Sequence, residues 1–250
     1  IIVSLMDSVK VLKTYVSVSS LDEVTNVLQS TNSLSVAICN ANTLVQCYQN
    51  ETLMNKINNF DIKTTDGFPV AKASKILYKN KQQRVDGFNI FTQTIEKGIE
   101  KNLTHFFYGN NKNVIELMIK NLQEDYENIN IIGYYCPPIK NYKDLASEEK
   151  IKEIVNLDAD IIWVSLGFPK QEEFIDLVKK NNPTIKSNLV GIGAVFEWVA
   201  GTKIKAPEFL ANFGLEWLFR LIQEPRRLFK RYFIDNFLFI IYFIKQLLLN

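Results

Sequence analysis

The stretch SLGFPKQEEF, residues 165–174, joins an apolar run to a helical pattern through a glycine and a proline. Gly167 permits a tight turn or a positive φ, and Pro169 suits the first helical position, where no N–H is required. Free N–H groups at such a helix start favour anions, but the two glutamates that follow already complement the helix dipole. The stretch is therefore either a plain strand-to-helix joint or a corner where Lys170 and Gln171 make directed hydrogen bonds to a ligand.

The stretch TTDGFPVAK, residues 64–72, repeats this arrangement with an acid before the glycine. Asp66 could cap the helix that starts near Pro69. It could also act as a general base at the mouth of a cleft, if burial or a neighbouring like charge adjusts its pKa. The spacing leaves both roles open.

Other chemistries find less support in the residue types. Asp158 and Asp160 form a DxD pair of the kind that holds divalent metals, but they precede the apolar run IIWV and so belong to the amino end of a strand. The stretch GIGAVF, residues 191–196, lacks the third glycine of a dinucleotide fingerprint. His105 is the only histidine, which disfavours a Ser-His-Asp triad and a His-ligated metal. We therefore predict no metal and no cofactor.

These residues are positioned by short β-rich runs that alternate with helical patterns. Strands joined by helices of about 10–15 residues form βαβ units, with a mainly parallel sheet and helices on both faces. The predicted fold class is therefore α/β, with a doubly wound, Rossmann-like sheet whose ligands bind at the carboxyl ends of the strands. Strands are predicted over residues 33–40, 61–67, 104–110, 128–135, 160–167 and 188–196, and one long helical stretch over residues 42–59.

Beyond Gly201 the strand signals stop, and the chain becomes helical, aromatic and basic. Residues 201–250 hold eight Lys and Arg against four Asp and Glu, within a whole-chain charge of +2. We divide the chain into an α/β catalytic domain, residues 1–200, and an amphipathic C-terminal appendage, residues 201–250. Basic and apolar faces together suit a membrane surface or a diphosphate. Nucleic acid is a less suitable partner, because the first 200 residues have no basic surplus.

The sequence predicts a protein that touches a membrane without crossing it. The longest uncharged apolar run, Phe237 to Ile244, is shorter than the ~18 residues that span a bilayer. No signal-peptide pattern opens the sequence. The three cysteines, Cys39, Cys47 and Cys136, fit neither a disulfide framework nor a zinc site, which indicates a reducing compartment. We therefore expect a cytoplasmic protein.

Five blocks occur in a fixed order between about Ser33 and Tyr232: TTDGFPVAKASKIL…QRVDGFNIF, FFYGNN, WVSLGFPKQEEF, VGIGAVFEWVAGTKIKAP and GLEWLFRLIQEPRRLFKRY. Together they closely resemble the WecG/TagA/CpsF glycosyltransferases, glycosyltransferase family 26. The resemblance implies a bacterial, inverting hexosyltransferase, peripheral at the inner face of the cytoplasmic membrane. Such enzymes move a sugar, often N-acetylmannosamine or its uronate, from a UDP donor to a polyprenyl-diphosphate-linked sugar. Their products enter wall teichoic acid, enterobacterial common antigen, capsule or exopolysaccharide.

The resemblance also implies roles for individual residues. Asp66 falls on the family's acidic residue and would be the general base for the acceptor hydroxyl, while Gln171 would hold a sugar. The arginines of the appendage would meet the diphosphate, which needs positive charge where no metal is bound. The other residues expected to bind substrate, from the resemblance or from their place at strand ends, are Asn40, Arg84, Asn89, Gly109, Gly167, Lys170, Gly191, Gly193, Glu197, Arg220, Arg226, Arg227 and Arg231.

The chain departs from the family pattern at four positions, which leaves the donor sugar open. Ile38 stands where Thr is usual, Asn89 where Asp is usual, Glu197 where Asp is common and Lys205 where Arg is common. Two other functions compete with transfer. One is a nucleotide-binding regulatory or scaffold protein without chemistry, and the other is a nicotinamide-dependent oxidoreductase, which the missing glycine disfavours. The acceptor and a homo-oligomeric state also stay open.

Overall fold

A six-stranded parallel sheet forms the centre of the molecule, and a two-stranded antiparallel hairpin precedes it along the chain. The computed structural model describes residues 6–138, 148–212 and 214–249. The hairpin strands are β1 (Ser8–Val11) and β2 (Thr14–Ser17), and the sheet strands are β3 (Ser35–Cys39), β4 (Ile62–Thr65), β5 (Thr104–Gly109), β6 (Asn130–Tyr135), β7 (Ile161–Ser165) and β8 (Asn188–Gly191). The sheet order is β4-β3-β8-β7-β5-β6, and each neighbouring pair is parallel. The predicted fold class is confirmed.

Helices connect the strands and then continue into the C-terminal region. A 3-10 turn (Ile99–Lys101) and a π-helical segment (Arg231–Asp235) interrupt the series. The α-helices are α1 (Leu21–Ser30), α2 (Ala41–Gln49), α3 (Glu51–Asn58), α4 (Phe68–Tyr78), α5 (Gly87–Gly98), α6 (Lys112–Asp125), α7 (Glu148–Val155), α8 (Lys170–Asn181), α9 (Val195–Val199), α10 (Glu208–Asn212), α11 (Glu216–Gln223), α12 (Pro225–Lys230) and α13 (Asn236–Leu249).

The central strand β7 shows why the sheet is buried on both faces. Its successive side chains point to opposite faces, as the two-residue period of a strand requires. Ile162 and Val164 enter one hydrophobic core, while Ile161 and Trp163 enter the other. Because all four are fully buried, the strand reads as a continuous apolar run, which is typical of parallel sheets.

The long helical stretch predicted over residues 42–59 is wrong, because the structure divides it into two helices. Asn50 ends α2, and its side-chain carbonyl accepts a hydrogen bond of 3.1 Å from the backbone N–H of Leu53 in α3. An asparagine side chain satisfies helix-start N–H groups well, so this residue starts a new helix instead of continuing the old one.

Two further predicted boundaries are corrected next to the strand ends. The strand predicted over residues 188–196 stops at Gly191, because Gly193 turns the chain with φ +61° and α9 follows at Val195. Pro169 does not occupy the first helical position but the cap position that precedes α8. Gly167 does adopt the positive φ that was predicted for it, at +74°.

The C-terminal region is helical, as predicted, and its last helix packs on the domain. Tyr242 of α13 stacks on Tyr48 of α2 with ring centroids 4.0 Å apart. Gln246 joins the same helix to the hairpin, because its side-chain oxygen accepts a hydrogen bond of 2.7 Å from the Leu12 N–H. The division into two domains at residue 200 stays a prediction.

One helical stretch among the described residues, Tyr232–Leu249, is long and apolar enough to cross a membrane, by length and composition alone. The uncharged run Phe237 to Ile244 is only part of this stretch, because helix continues on both sides of it and includes Asp235 and Lys245. That the protein touches a membrane without crossing it stays a prediction. Most of the stretch is exposed, yet Phe239 is buried against the domain. The helix therefore has one face on the protein and one face free.

Candidate active site

A cleft of about 410 Å³ lies at the carboxyl edge of the sheet, where an open parallel sheet binds its ligands. Segments that follow β3, β4, β5, β7 and β8 form its walls, together with residues of the appendage. Asn40 follows the last residue of β3 and caps α2. Its side-chain oxygen accepts a hydrogen bond of 3.2 Å from the Thr43 N–H, which fixes its position in the cleft wall. The predicted residues that line the cleft are Asn40, Asp66, Gly167, Lys170, Gln171, Gly193, Glu197 and Arg220.

Asp66 follows β4 and lies half-buried in the cleft wall. Its backbone N–H donates a hydrogen bond of 2.8 Å to the Cys39 carbonyl, which ties the ends of β3 and β4 together. Gly67, with φ +86°, occupies the cap position of α4, and no side chain caps this helix. Of the two roles that the sequence left open, helix capping is therefore excluded for Asp66.

The surroundings of Asp66 suit a general base. Burial first, and then the negative charges of Glu216 and Asp86, raise the pKa of its carboxyl to about 7, while Arg84 and Arg220 act in the opposite direction. A base is most effective when its pKa lies near the working pH. A carboxyl with this pKa is suited to take up a proton at neutral pH, and the role of general base stays a prediction for Asp66.

Charged side chains from the loop before α5 and from α11 surround this carboxyl. The guanidinium of Arg84 lies 2.5 Å from the Glu216 carboxylate and 3.6 Å from that of Asp86. The guanidinium of Arg220 lies 5.2 Å from the centre of the Trp198 ring. The appendage therefore reaches the same cleft as Asp66.

Residues 9–250 match the glycosyl transferase WecG/TagA/CpsF family. The chain belongs to this family. It is therefore a glycosyltransferase, as the resemblance of its sequence blocks implied. This membership supports the transferase and not the regulatory protein or the oxidoreductase that the sequence left as alternatives.

Several relatives carry the name N-acetylglucosaminyldiphosphoundecaprenol N-acetyl-beta-D-mannosaminyltransferase. The protein of Bacillus spizizenii is 30% identical over 203 residues, which cover 81% of this chain and 76% of the relative. The protein of Bacillus subtilis is 30% identical over 65% of this chain and 60% of its own length. The protein of Staphylococcus aureus is 28% identical over 80% of this chain and 76% of its own.

Gln171 of this glycosyltransferase is 3% exposed, and its amide is bonded to the protein on both sides. Its oxygen accepts a hydrogen bond of 3.0 Å from the Gly193 N–H, and its nitrogen donates one of 2.9 Å to the Glu172 carboxylate. Gly191 makes room for it, because a Cβ there would lie 3.0 Å from the Gln171 amide nitrogen. Gln171 thus positions the β8–α9 loop, and its contact with a sugar stays a prediction.

Four predicted substrate-binding residues of the glycosyltransferase line neither of the two cavities described in this chain. Asn89 donates its side-chain N–H to Asp86 at 2.8 Å, and Gly109 packs so closely on β7 that a Cβ would lie 2.3 Å from the Ser165 oxygen. Gly191 serves Gln171, and Arg226 is exposed on α12. Their predicted contacts with substrate stay predictions, at positions outside these two cavities. The side chains of Arg227 and Arg231 lie outside the described part of the chain.

Arg84 lines a second, smaller cavity of about 80 Å³ beside the main cleft of the glycosyltransferase. The sequence did not single out Glu216 or Asp86, although both line the main cleft. The only signal for Glu216 was an acid inside an otherwise basic and aromatic block. Lys203 was likewise missed, and it pairs with Glu197 and Glu224, each at 2.9 Å.

The DxD pair lies at the opposite edge of the sheet from the cleft, as predicted, and the single histidine lies near the start of β5 at that same edge. Asp160 accepts hydrogen bonds of 2.8 and 2.7 Å from the backbone N–H and the hydroxyl of Thr104. His105 is buried and accepts a hydrogen bond of 3.2 Å from the Trp163 indole. Both therefore hold strand ends together. Within the described ranges, no group of three or more His, Cys, Asp and Glu side chains could hold a metal ion.

Proposed function

We propose that this glycosyltransferase moves an N-acetylmannosamine-type sugar from a UDP donor to an N-acetylglucosamine carried on a polyprenyl diphosphate. The names of its relatives describe this mannosaminyl transfer to N-acetylglucosaminyldiphosphoundecaprenol. The observation that carries the proposal is the half-buried Asp66, with its pKa near 7, in a cleft that also holds Arg220. The product then enters a bacterial cell-surface polymer, such as teichoic acid.

Asp66 is the general base of the proposed reaction. Its carboxylate takes the proton from the acceptor hydroxyl as the hydroxyl oxygen attacks the anomeric carbon of the donor. The new C–O bond forms on the face opposite the leaving group, and the bond to the UDP phosphate oxygen breaks, so the anomeric configuration inverts. General-base catalysis of this kind contributes about 10²–10⁴-fold to a rate.

Positive side chains of the cleft stabilise the departing diphosphate. Arg220 and Lys170 both line the cleft, and a guanidinium can hold phosphate oxygens with two donors at once. Preorganised positive charge of this kind lowers the barrier without a metal. Arg220 therefore contacts the diphosphate of the leaving group, and it lies in the same cleft wall as Asp66.

The appendage supplies a surface for the membrane that carries the acceptor. Its free apolar face includes Phe229, Phe233, Phe237, Ile240 and Ile244, all of which are exposed. An amphipathic helix of this kind lies in the membrane interface with its apolar face buried. The proposed location is therefore peripheral, at the inner face of the cell membrane.

The test combines the purified protein with a fluorescent N-acetylglucosaminyl polyprenyl diphosphate and separate UDP-sugars. UDP-N-acetylmannosamine should give a product with inverted anomeric configuration, both with and without EDTA, and Asp66→Asn should remove it. Transfer from a different UDP-sugar alone would overturn the sugar assignment. Absence of transfer from every UDP-sugar tested, in the presence of vesicles, would overturn the proposed activity. Loss of transfer in EDTA that Mn²⁺ restores would overturn the metal-free mechanism.

A further inference from the structure

The ion pair between Glu216 and Arg84 joins the appendage to the catalytic domain. Glu216 is the first residue of α11, and Arg84 lies in the loop between α4 and α5. Their side chains approach to 2.5 Å, and both are about one-fifth exposed. Because a partly buried, charge-assisted hydrogen bond is stronger than a surface ion pair, this contact is suited to fix the relative position of the two groups.

This ion pair stands beside Asp66. The main cleft and the smaller cavity have four residues in common, so these form the wall between the two spaces; they are Asn40, Asp66, Glu216 and Arg220. The carboxylate of the appendage and the proposed catalytic carboxylate therefore border the same two cavities.

The charges that act on Asp66 come from two parts of the fold. The appendage contributes Glu216 and Arg220, and the loop before α5 contributes Arg84 and Asp86. The Cys39 thiol, at the end of the adjacent strand β3, adds no charge, because burial raises its pKa well above its usual value. Glu216 is the only carboxylate in this set that the appendage supplies.

We propose that Glu216 is a positioning residue of the active site, which holds Arg84 away from Asp66 and places a negative charge beside that base when the appendage is docked. The inference rests on the proposed function, in which Asp66 is the general base. Without Glu216, the guanidinium of Arg84 keeps Asp86 as a partner and is free to turn to Asp66. The base would then be ion-paired and weaker.

Glu216 also has a simpler role, since an acid in the first turn complements the dipole of α11. This structural role predicts a change in stability but no change in the titration of Asp66. Arg84 provides a second distinction, because its charge acts on Asp66 with the opposite sign. Removal of Glu216 and removal of Arg84 should therefore move the titration in opposite directions.

The experiment titrates the Asp66 carboxyl directly by ¹³C NMR in protein labelled at the aspartate carboxyl carbon, with the resonance assigned by its loss in Asp66→Asn. The wild-type midpoint is expected at about 7. Glu216→Gln should lower it by about one pH unit, and Arg84→Gln should raise it, since a neighbouring charge shifts a carboxyl by this order. Glu224→Gln removes a different carboxylate of the appendage and should leave the midpoint unchanged.

An unchanged midpoint in a folded Glu216→Gln variant would overturn the inference. If that variant does not fold, Glu216→Asp replaces it, since the shorter side chain keeps the charge but draws it back from Arg84 and should lower the midpoint partially. The acid limb of kcat/KM against pH is then measured for the same proteins. If the midpoints move as expected but the acid limb does not follow them, Asp66 is not the base, and the proposed mechanism fails while the positioning by Glu216 stands.

Discussion

The side-chain oxygen of Gln171 accepts a hydrogen bond from the backbone N–H of Gly193 at 3.0 Å. The opposite side of the same glycine is also held, because the Ser165 hydroxyl donates a hydrogen bond of 2.6 Å to its carbonyl. Gly193 has φ +61° and turns the chain from β8 towards α9. Residues at the end of β7 and the start of α8 therefore fix the shape of the neighbouring loop, which forms part of the cleft wall.

Gln171→Leu should both destabilise the protein and impair donor binding. The substitution leaves the half-buried Gly193 N–H without its Gln171 acceptor and removes the buried hydrogen bond to Glu172. Losses of this kind destabilise a protein by about 1–3 kcal/mol. Urea unfolding measures this change, and the KM for the donor should rise because the loop is no longer fixed. Lys170→Ala is the matched control, since Lys170 lines the same cleft but is exposed, so its stability should equal that of the wild type. If Gln171→Leu were as stable as the wild type, Gln171 would not be the residue that fixes the β8–α9 loop.

Asp66→Asn should lower kcat by about 10²–10⁴-fold and raise the melting temperature at alkaline pH. In the folded protein, burial raises the pKa of Asp66 from 3.8 to about 7. The folded state therefore binds the proton more tightly than the unfolded state, and stability falls as the pH rises between these two values. Asparagine cannot ionise, so the variant escapes this loss. Thermal unfolding at about pH 4 and about pH 8 measures the difference, which should be present only at the higher pH. A variant less stable than the wild type at both pH values would contradict it.

The sequence predicted the site to the extent that local chemistry determines it. Gly109, Gly167 and Asp66 mark predicted strand ends, and the cleft was correctly predicted at that edge of the sheet. The prediction holds because a parallel sheet binds its ligands at the carboxyl ends of its strands. The pairing of Arg84 with Glu216 could not be predicted, since 132 positions separate the two residues. The hydrogen-bond partners of Gln171 could not be predicted either, because the sequence does not distinguish an amide that binds a ligand from one that binds a backbone loop.

Gly109→Ala should destabilise the protein much more than Gly167→Ala. Both glycines have a positive φ, of +117° and +74°, so each substitution introduces backbone strain of about 1–3 kcal/mol. A Cβ at Gly109 would also lie 2.3 Å from the Ser165 carbonyl oxygen, whereas a Cβ at Gly167 would meet nothing within 4 Å. Because backbone atoms of a central strand cannot move aside cheaply, the first variant also distorts the β5–β7 pairing. Equal midpoints of urea unfolding for the two variants would contradict this comparison.

His105 should make the protein sensitive to mild acid. Its ring is buried and accepts a hydrogen bond from Trp163, and burial lowers the pKa of the imidazole from 6.5 to about 4. The unfolded chain therefore binds the proton first, and stability is lost as the pH falls below about 6.5. At about pH 5 the loss from this one residue is roughly 2 kcal/mol. His105→Asn keeps an acceptor for the Trp163 indole but does not titrate, so its unfolding free energy should change less between about pH 7.5 and pH 5. An identical change in both proteins would exclude His105 as the source.

The free face of α13 should bind membranes through its apolar side chains. Ile240 and Ile244 are 53% and 49% exposed, so replacing both with Glu removes apolar contact and adds negative charge without disturbing the packing on α2. The same exposure predicts an unchanged melting temperature. Binding to vesicles that contain phosphatidylglycerol should weaken at least ~10-fold, since burying an Ile side chain contributes about 1.5–3 kcal/mol.

A matched control separates this face from apolar exposure in general. Leu117 of α6 is 44% exposed but lies outside the appendage, so Leu117→Glu should bind the vesicles as the wild type does. Phe239 tests the opposite side of α13, because it is buried against the domain and Phe239→Ala should lower the melting temperature. Vesicle binding by the Ile240→Glu, Ile244→Glu double variant at the wild-type level would show that the membrane contact lies elsewhere. If the double variant binds vesicles weakly but still transfers sugar to a detergent-solubilised acceptor at the wild-type rate, this face serves membrane binding and not the chemical step.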